Sequence, residues 1–360
     1  HTIIKKGNTM KRSTLILTLV LATLTCIQSY RVISGTGLFY AINPHFSGQC
    51  EAVSGVVGAE DITIDHANQF AYISADDRRA TLAGKPISGG IYGLDLSEPD
   101  ALPTLLTQDF SPNFHPHGIY LYQHTDSSRS LFVVNHLEGG GENIEVFDIN
   151  KVNQLTHRQS ITYPELISPN DIVAIGPSQF YVTNDHGYPS GHFMQTLEEY
   201  LGLPLSSVSY YDGKKGHIVA SGLKFTNGIA IAPDLKTLYM AEILNRKVGV
   251  YNRNANTNEL SKRSDILVDT GADNLEWDEN GNLWLGAHPK LFDFAAHAKD
   301  ASKPSPSQVL KINVDKSTPE VEEIYLNAGE ALSGSTVGAV SGNTLLIGSV
   351  FEEHLLKCNL

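Results

Sequence analysis

The sequence is short of positive charge: 26 Lys and Arg stand against 39 Asp and Glu, a formal net charge of −13. Binding to a phosphate backbone needs the opposite balance, so a nucleic-acid partner is excluded. Charged residues of both signs reach only 18%, while hydrophobic residues make up 41%. That balance excludes the high-charge, apolar-poor signature of disorder and implies a sizeable core. No Asn-x-Ser/Thr sequon occurs, so N-glycosylation is not expected. Cysteine is scarce, with three residues in the whole chain. Apolar runs are short as well: residues 15–27 form a run of thirteen, against the roughly 20 that a membrane-spanning helix needs.

That run follows Met10, Lys11 and Arg12, the layout of a signal-peptide apolar region. The expected organisation is therefore leader-like residues over 1–9, a signal peptide or uncleaved anchor over 10–29, and a single domain over 30–360. No small-residue cleavage site follows the run, which leaves removal and retention both open. A secretory route permits disulfides. Cys26 falls in the leader, so one bridge between Cys50 and Cys358 is expected, with two inert buried thiols as the alternative.

One phrase recurs six times: a polar pair, an apolar alternation, a polar turn and a second alternation. The copies run over 60–74, 117–136, 170–184, 227–242, 273–288 and 335–349, with successive second positions 46 to 62 residues apart. Period-2 alternation around Gly, Asn and Asp turns marks antiparallel hairpins, and the spacing leaves room for about four strands per unit. Further strand-like segments, such as 90–96, 143–149 and 247–251, lie between the copies. The expectation is an all-β chain: a six-bladed β-propeller with a central calcium-binding channel and a short helical insertion over one face. The insertion is the stripe of Phe193, Met194, Leu197, Tyr200 and Leu201 within 192–201, which would suit either the nearest blade or a lipid surface.

Residues at one point of each repeat converge on a propeller axis. Glu60, His117, Asn170, Asn227, Asp273 with Asn274, and Ser335 occupy that point. Burying two carboxylates and three amides beside apolar strands is unfavourable without a partner. Glu60, Asn170, Asn227, Asp273 and Asn274 form an all-oxygen set that suits Ca²⁺, whereas zinc would draw on His or Cys. Asp61 and Asp171 directly follow two of these residues and, in extended backbone, point the other way, which would suit a second ion.

With these motifs in view, the chain resembles the serum paraoxonase/arylesterase family from about Cys50 onward. The resemblance is carried by 168–174 (SPNDIVA), 182–186 (VTNDH), 225–229 (FTNGI), 241–244 (AEIL), 283–289 (LWLGAHP) and 334–337 (GSTV). It implies a calcium-dependent hydrolase of carboxylic esters and lactones with two ions. One would be held by the same five residues, the other by Asp61, Asp171 and the backbone carbonyl of Ile119. It also implies a histidine dyad, His117 and His136, a Cys50–Cys358 bridge, and an apolar N-terminus that meets lipoprotein or membrane surfaces. A location that is secreted, or membrane-associated on the extracellular side, is implied in turn. Ala287 stands where members of that family often carry a cysteine, and the loops around 138–142 and 297–306 differ, so substrate preference is not carried over. The competing readings are a related phosphotriesterase or sugar-lactone hydrolase, and a non-catalytic propeller that binds a lipid or protein partner.

Overall fold

The computed structural model describes residues 7–316 and 318–360; residues 1–6 of the expected leader lie outside the described residues. Each recurring phrase forms an antiparallel hairpin. The inner strands are Ala59–Asp65, Pro116–Gln123, Pro169–Gly176, Thr226–Ile231, Gly271–Trp277 and Ser335–Ser341. Their partners are Phe70–Ala75, Arg129–His136, Gln179–Asn184, Thr237–Glu242, Asn282–His288 and Thr344–Ser349. Consecutive inner strands touch, and the last touches the first. The arrangement is an all-β, propeller-like ring.

Four of the hairpins each continue into a separate four-stranded sheet. The separate sheets thus number four where six were expected, because the first and last units share one eight-stranded sheet. A single pairing, Ala59 with Ser349, joins the two. Gly348 permits this approach, since a Cβ there would fall 2.3 Å from the Ala59 carbonyl oxygen. The outermost strand of the last unit comes from the other end of the chain. Gln49–Ser54 pairs with His354–Asn359 in antiparallel register, with Cys50 opposite Cys358, and the expected disulfide joins them.

Apolar residues pack between neighbouring sheets. Val250 and Ile266 of one sheet meet Leu275, Leu285 and Leu310 of the next, and Phe132 and Val146 meet Ile172 and Phe180. Each such side chain contributes about 1.5–3 kcal/mol through burial. These contacts fix the sheets around the hub and leave the polar ends of the inner strands to face one another.

Among the described residues, four helices lie outside the sheets. Gly7–Gly35 extends well beyond the apolar run seen in the sequence. Its segment Ser13–Gly35 is long and apolar enough by length and composition to cross a membrane. The expected insertion is the helix Phe193–Leu201, capped by His192 and ended by Gly202 at φ 58°. It does not bury its apolar stripe: Phe193 is 68% exposed while Glu198 is 3% exposed. Glu198 accepts the Gly187 N–H at 3.0 Å, so the acidic face is the anchored one. Two further helices, Arg78–Leu82 and Leu291–Lys299, were not anticipated.

Candidate functional site

All six inner hairpins break register at the same place. The ladder steps from Ala59 to Asp61, Pro116 to Ile119, Pro169 to Ile172, Thr226 to Ile229, Ala272 to Leu275 and Ser335 to Val337. The skipped residues are Glu60, His117 with Gly118, Asn170 with Asp171, Asn227 with Gly228, Asp273 with Asn274, and Thr336. Bulges re-aim side chains and end pairing beside functional sites. Here they release from the ladder every polar residue that the repeat places at the hub, Ser335 excepted. Gly118 and Gly228 permit the close approach of neighbouring units: a Cβ on either would fall 2.4 or 2.5 Å from the carbonyl oxygen of Asn170 or Asp273.

Glu60, Asn170, Asn227, Asp273 and Asn274 are each 6% exposed or less. Each has a buried side-chain oxygen without a hydrogen-bond partner: Glu60 Oε2, and Oδ1 of Asn170, Asn227, Asp273 and Asn274. The remaining polar atoms fix the orientation of several of these groups. Asn274 Nδ2 donates to Glu60 Oε1 at 2.8 Å, Thr336 Oγ1 donates to the Glu60 carbonyl at 2.6 Å, and Asp273 Oδ2 lies 2.6 Å from His288 Nε2. Burial works to raise the Glu60 carboxyl, but His117, Arg78 and Asn274 outweigh it and hold it below its ordinary range. Burial pushes Asp273 up to about 6 against the opposing pull of His288. Five orphaned oxygens from two carboxylates and three amides fit a hard cation, because carbonyl and carboxylate oxygens are the donors such ions prefer. Among the described residues, no three His, Cys, Asp or Glu side chains form a cluster that could hold a metal ion; the set depends on the asparagines.

Asp61 and Asp171 are held differently. Asp61 accepts the Ile62 N–H at 2.9 Å and the Ile119 N–H of the next unit at 2.8 Å. Asp171 repeats the device with the N–H groups of Ile172 and Ile229, both at 2.7 Å. Burial raises both carboxyls well above their ordinary values. For Asp61 the charge of Asp171 adds to burial, and the charge of Glu60 adds for both. Ile119 contributes its N–H to this arrangement, and its carbonyl belongs to a residue paired with Val133.

The two expected histidines meet, with His117 Nδ1 2.7 Å from His136 Nε2. A third residue, which the sequence reading missed, completes the chain: His136 Nδ1 lies 2.6 Å from Glu142 Oε2. A carboxylate only accepts, so His136 carries its proton on Nδ1. His136 Nε2 then accepts from His117 Nδ1–H, and the second ring nitrogen, His117 Nε2, lies 3.3 Å from Glu60 Oε1. Burial lowers the His117 pKa, favouring the neutral ring. Glu142 lies beyond the Gly139–Gly141 turn with no periodic signal, so only the fold could reveal it. His288 was quoted in a motif without a role; here it is buried against Asp273 and stacks on Phe294 at 3.8 Å between ring centres.

His117, His136 and Glu142 open onto a cavity of about 670 Å³ that Arg78, Ser168 and Asp185 also line. The helix Phe193–Leu201 contributes Gln195 and Glu199 to its wall. Asp185 and His186 are linked at 2.7 Å, and Glu199 lies 3.1 Å from the far ring nitrogen. Burial alone would lower the His186 pKa, but the two carboxylates raise it to about 10.

Comparison with known proteins agrees with this geometry. A family model described as arylesterase matches residues 42–360. Human serum paraoxonase/arylesterase 1 is 38% identical over 321 residues, covering 85% of this chain and 87% of the relative. Its mouse counterpart is 36% identical over 364 residues, covering 96% and 99%. Among solved structures, a gluconolactonase from Xanthomonas campestris superposes with a TM-score of 0.55 at 14% identity, covering 89% of this chain and 96% of its own. A calcium-binding protein, regucalcin, from Agrobacterium tumefaciens gives 0.51 at 14% identity, covering 87% and 93%. At that identity these two speak to the fold alone. With a family model spanning nearly the whole ring and relatives above one-third identity over most of their length, the chain belongs to the arylesterase family.

Proposed function

We propose that the chain is a calcium-dependent hydrolase of carboxylic esters and lactones. Family membership supports the reaction class, and one observation carries the calcium: five buried, unpartnered oxygens of Glu60, Asn170, Asn227, Asp273 and Asn274 at matching points of the ring. Bound there, calcium supplies Lewis-acid polarisation of the substrate carbonyl. The chain's own residues do the rest. His117 Nε2 takes the proton of the attacking water, His136 accepts the proton that His117 passes on from Nδ1, and Glu142 holds His136 in the tautomer that allows this. Asn274 and Thr336 fix Glu60, and His288 fixes Asp273.

The eight-stranded sheet divides at the Ala59–Ser349 pairing into two four-stranded units, which supports counting six blades. A second ion at Asp61, Asp171 and the Ile119 carbonyl is supported by the mutual repulsion of two buried carboxylates. Residues 10–29 serve as signal peptide or anchor, with the hydrolase domain following; the disulfide and the apolar helix both fit an extracellular location. The outward-facing Phe193, Leu197, Tyr200 and Leu201 suit a lipid surface beside the cavity mouth.

The test is turnover of phenyl acetate, δ-valerolactone and a phosphotriester, with and without calcium. Ester and lactone hydrolysis that stops on chelation and returns with calcium is the expected outcome. A protein that leaves all three substrates intact in calcium is a binding module, and one that acts on the phosphotriester alone belongs to the related phosphotriesterases.

A further inference from the structure

The cavity holds a second histidine unit that the proposed reaction does not use. The side chains of Asp76 and His115 are 2% and 5% exposed, and His115 Nδ1 lies 2.8 Å from Asp76 Oδ1. The other Asp76 oxygen is 3.0 Å from Arg78 Nε, and Arg78 Nη2 donates to the Pro116 carbonyl at 3.2 Å. From the opposite side, the His115 N–H donates to Asn135 Oδ1 at 2.9 Å. The imidazole is thus fixed by its backbone and by a carboxylate that is itself fixed. Because the carboxylate accepts, Nδ1 carries a hydrogen, and Nε2 is the atom left over. That atom is buried and has no hydrogen-bond partner among the described residues. The carboxylate closest to it, Glu138 Oε1, stands 3.9 Å away, beyond hydrogen-bonding distance. Glu138 precedes a turn in which Gly139, Gly140 and Gly141 all have positive φ.

A pre-oriented, unpartnered nitrogen in the wall of a reaction cavity is what a specificity contact looks like before its ligand arrives. We propose that His115 Nε2 binds a hydroxyl group of the substrate, so that the preferred substrates are hydroxylated lactones and esters. This rests on the hydrolase reading and names the substrate class for it. A hydroxyl fits because it donates to a neutral ring and accepts from a charged one. A substrate carboxylate fits poorly, since the carboxylates of Asp76, Glu138, Glu142, Asp185 and Glu199 outnumber the cationic Arg78 and His186 in the wall. A long alkyl chain also fits poorly, because among the described residues Pro86 and Leu137 are the only purely aliphatic side chains in the wall.

The experiment compares γ-butyrolactone with its α-hydroxy and β-hydroxy derivatives, using wild-type protein in calcium. A single hydroxyl, at one of the two positions, is expected to raise kcat/KM by about tenfold or more. His115→Phe should collapse that ratio toward one, while His115→Gln, which keeps a polar atom, should retain part of it. A wild-type ratio near one at both positions overturns the proposal, as does a ratio that survives in a His115→Phe protein whose circular dichroism and melting match wild type. Binding of 3-hydroxy- and 4-hydroxy-2-pyrrolidinone against 2-pyrrolidinone, measured by calorimetry, separates this proposal from the reaction itself. If no lactone is turned over, the hydrolase reading fails. A hydroxyl preference in lactam binding that is lost in His115→Phe then still supports the subsite, and equal binding of all three lactams removes it.

Discussion

Two sets of acidic and amide groups face the hub of the ring, and they differ in what already satisfies them. Asp61 and Asp171 each accept two backbone N–H groups, one from their own strand and one from the next unit. Glu60, Asn170, Asn227, Asp273 and Asn274 each leave an oxygen bare. Glu60 and Asp61, like Asn170 and Asp171, are adjacent in sequence and all are buried, so burial alone does not separate the sets. What separates them is what each side chain meets, backbone N–H groups in one set and no donor to one oxygen in the other. The satisfied set knits unit to unit, and the bare set is held in place for something the polypeptide does not provide. Structural and functional polarity sit one residue apart.

That contrast breaks or sharpens on mutation. The largest effect is expected for Glu60→Gln and Asp273→Asn. Turnover should fall by on the order of 10²–10³, while melting without calcium stays level or rises for Asp273→Asn, whose charge burial disfavours, and falls for Glu60→Gln, whose charge His117, Arg78 and Asn274 favour in the folded protein. Steady-state kinetics and calorimetric melting check both halves, and near-normal turnover would take these residues out of the site. Chelation comes next. Stripping calcium should abolish activity and lower stability by about 2.7 kcal/mol where the ion had stood at a hundred times its Kd; an unchanged melting curve would mean that no tightly held ion contributes to the fold.

Asp61→Asn and Asp171→Asn should behave in the opposite way. An amide cannot accept on both arms, so one backbone N–H is left facing an NH₂ group. A loss of about 1–3 kcal/mol in urea unfolding is expected, and a mutant as stable as wild type would erase the distinction between the two sets. The smallest effect belongs to His186, whose charge is met within the protein by Asp185 and Glu199. Its folded pKa, about 10, lies above the unfolded value of roughly 6.5. Its contribution is therefore complete below about pH 6.5 and fades as pH climbs toward 10. The melting advantage of wild type over His186→Gln should be larger at about pH 6 than at about pH 9.5, and an advantage that grows with pH would reverse the sign.

How much of this could be read from the sequence follows from what leaves a periodic trace. Alternation such as 227–231 or 283–287 is a property of the strand itself, so the hairpins were legible. The polar pair opening each phrase marked the hub residues, although the bulge that frees them is a matter of register between two strands and has no one-dimensional signature. The stripe in 192–201 revealed a helix but not which face would be anchored; Glu198, bound to the Gly187 N–H, decided that. Glu142 and the Asp76–His115 pair sit in stretches without period, 6 and 39 residues from their partners. The short helix Arg78–Leu82 is likewise set by a local cap, with Asp77 accepting the Ala80 N–H at 2.9 Å, more than by any apolar pattern.

The strand Gln49–Ser54 lies edge to edge with His354–Asn359, although their cysteines are 308 positions apart in the chain. A ribosome releases Cys50 first and Cys358 only 308 residues later. An arc still lacking that second half would present an unmated flank. Trimming even a few residues from the carboxyl end should therefore injure the amino-terminal strand as much as the cut end, because Gln49–Ser54 would lose the ladder partner and the cysteine that hold it.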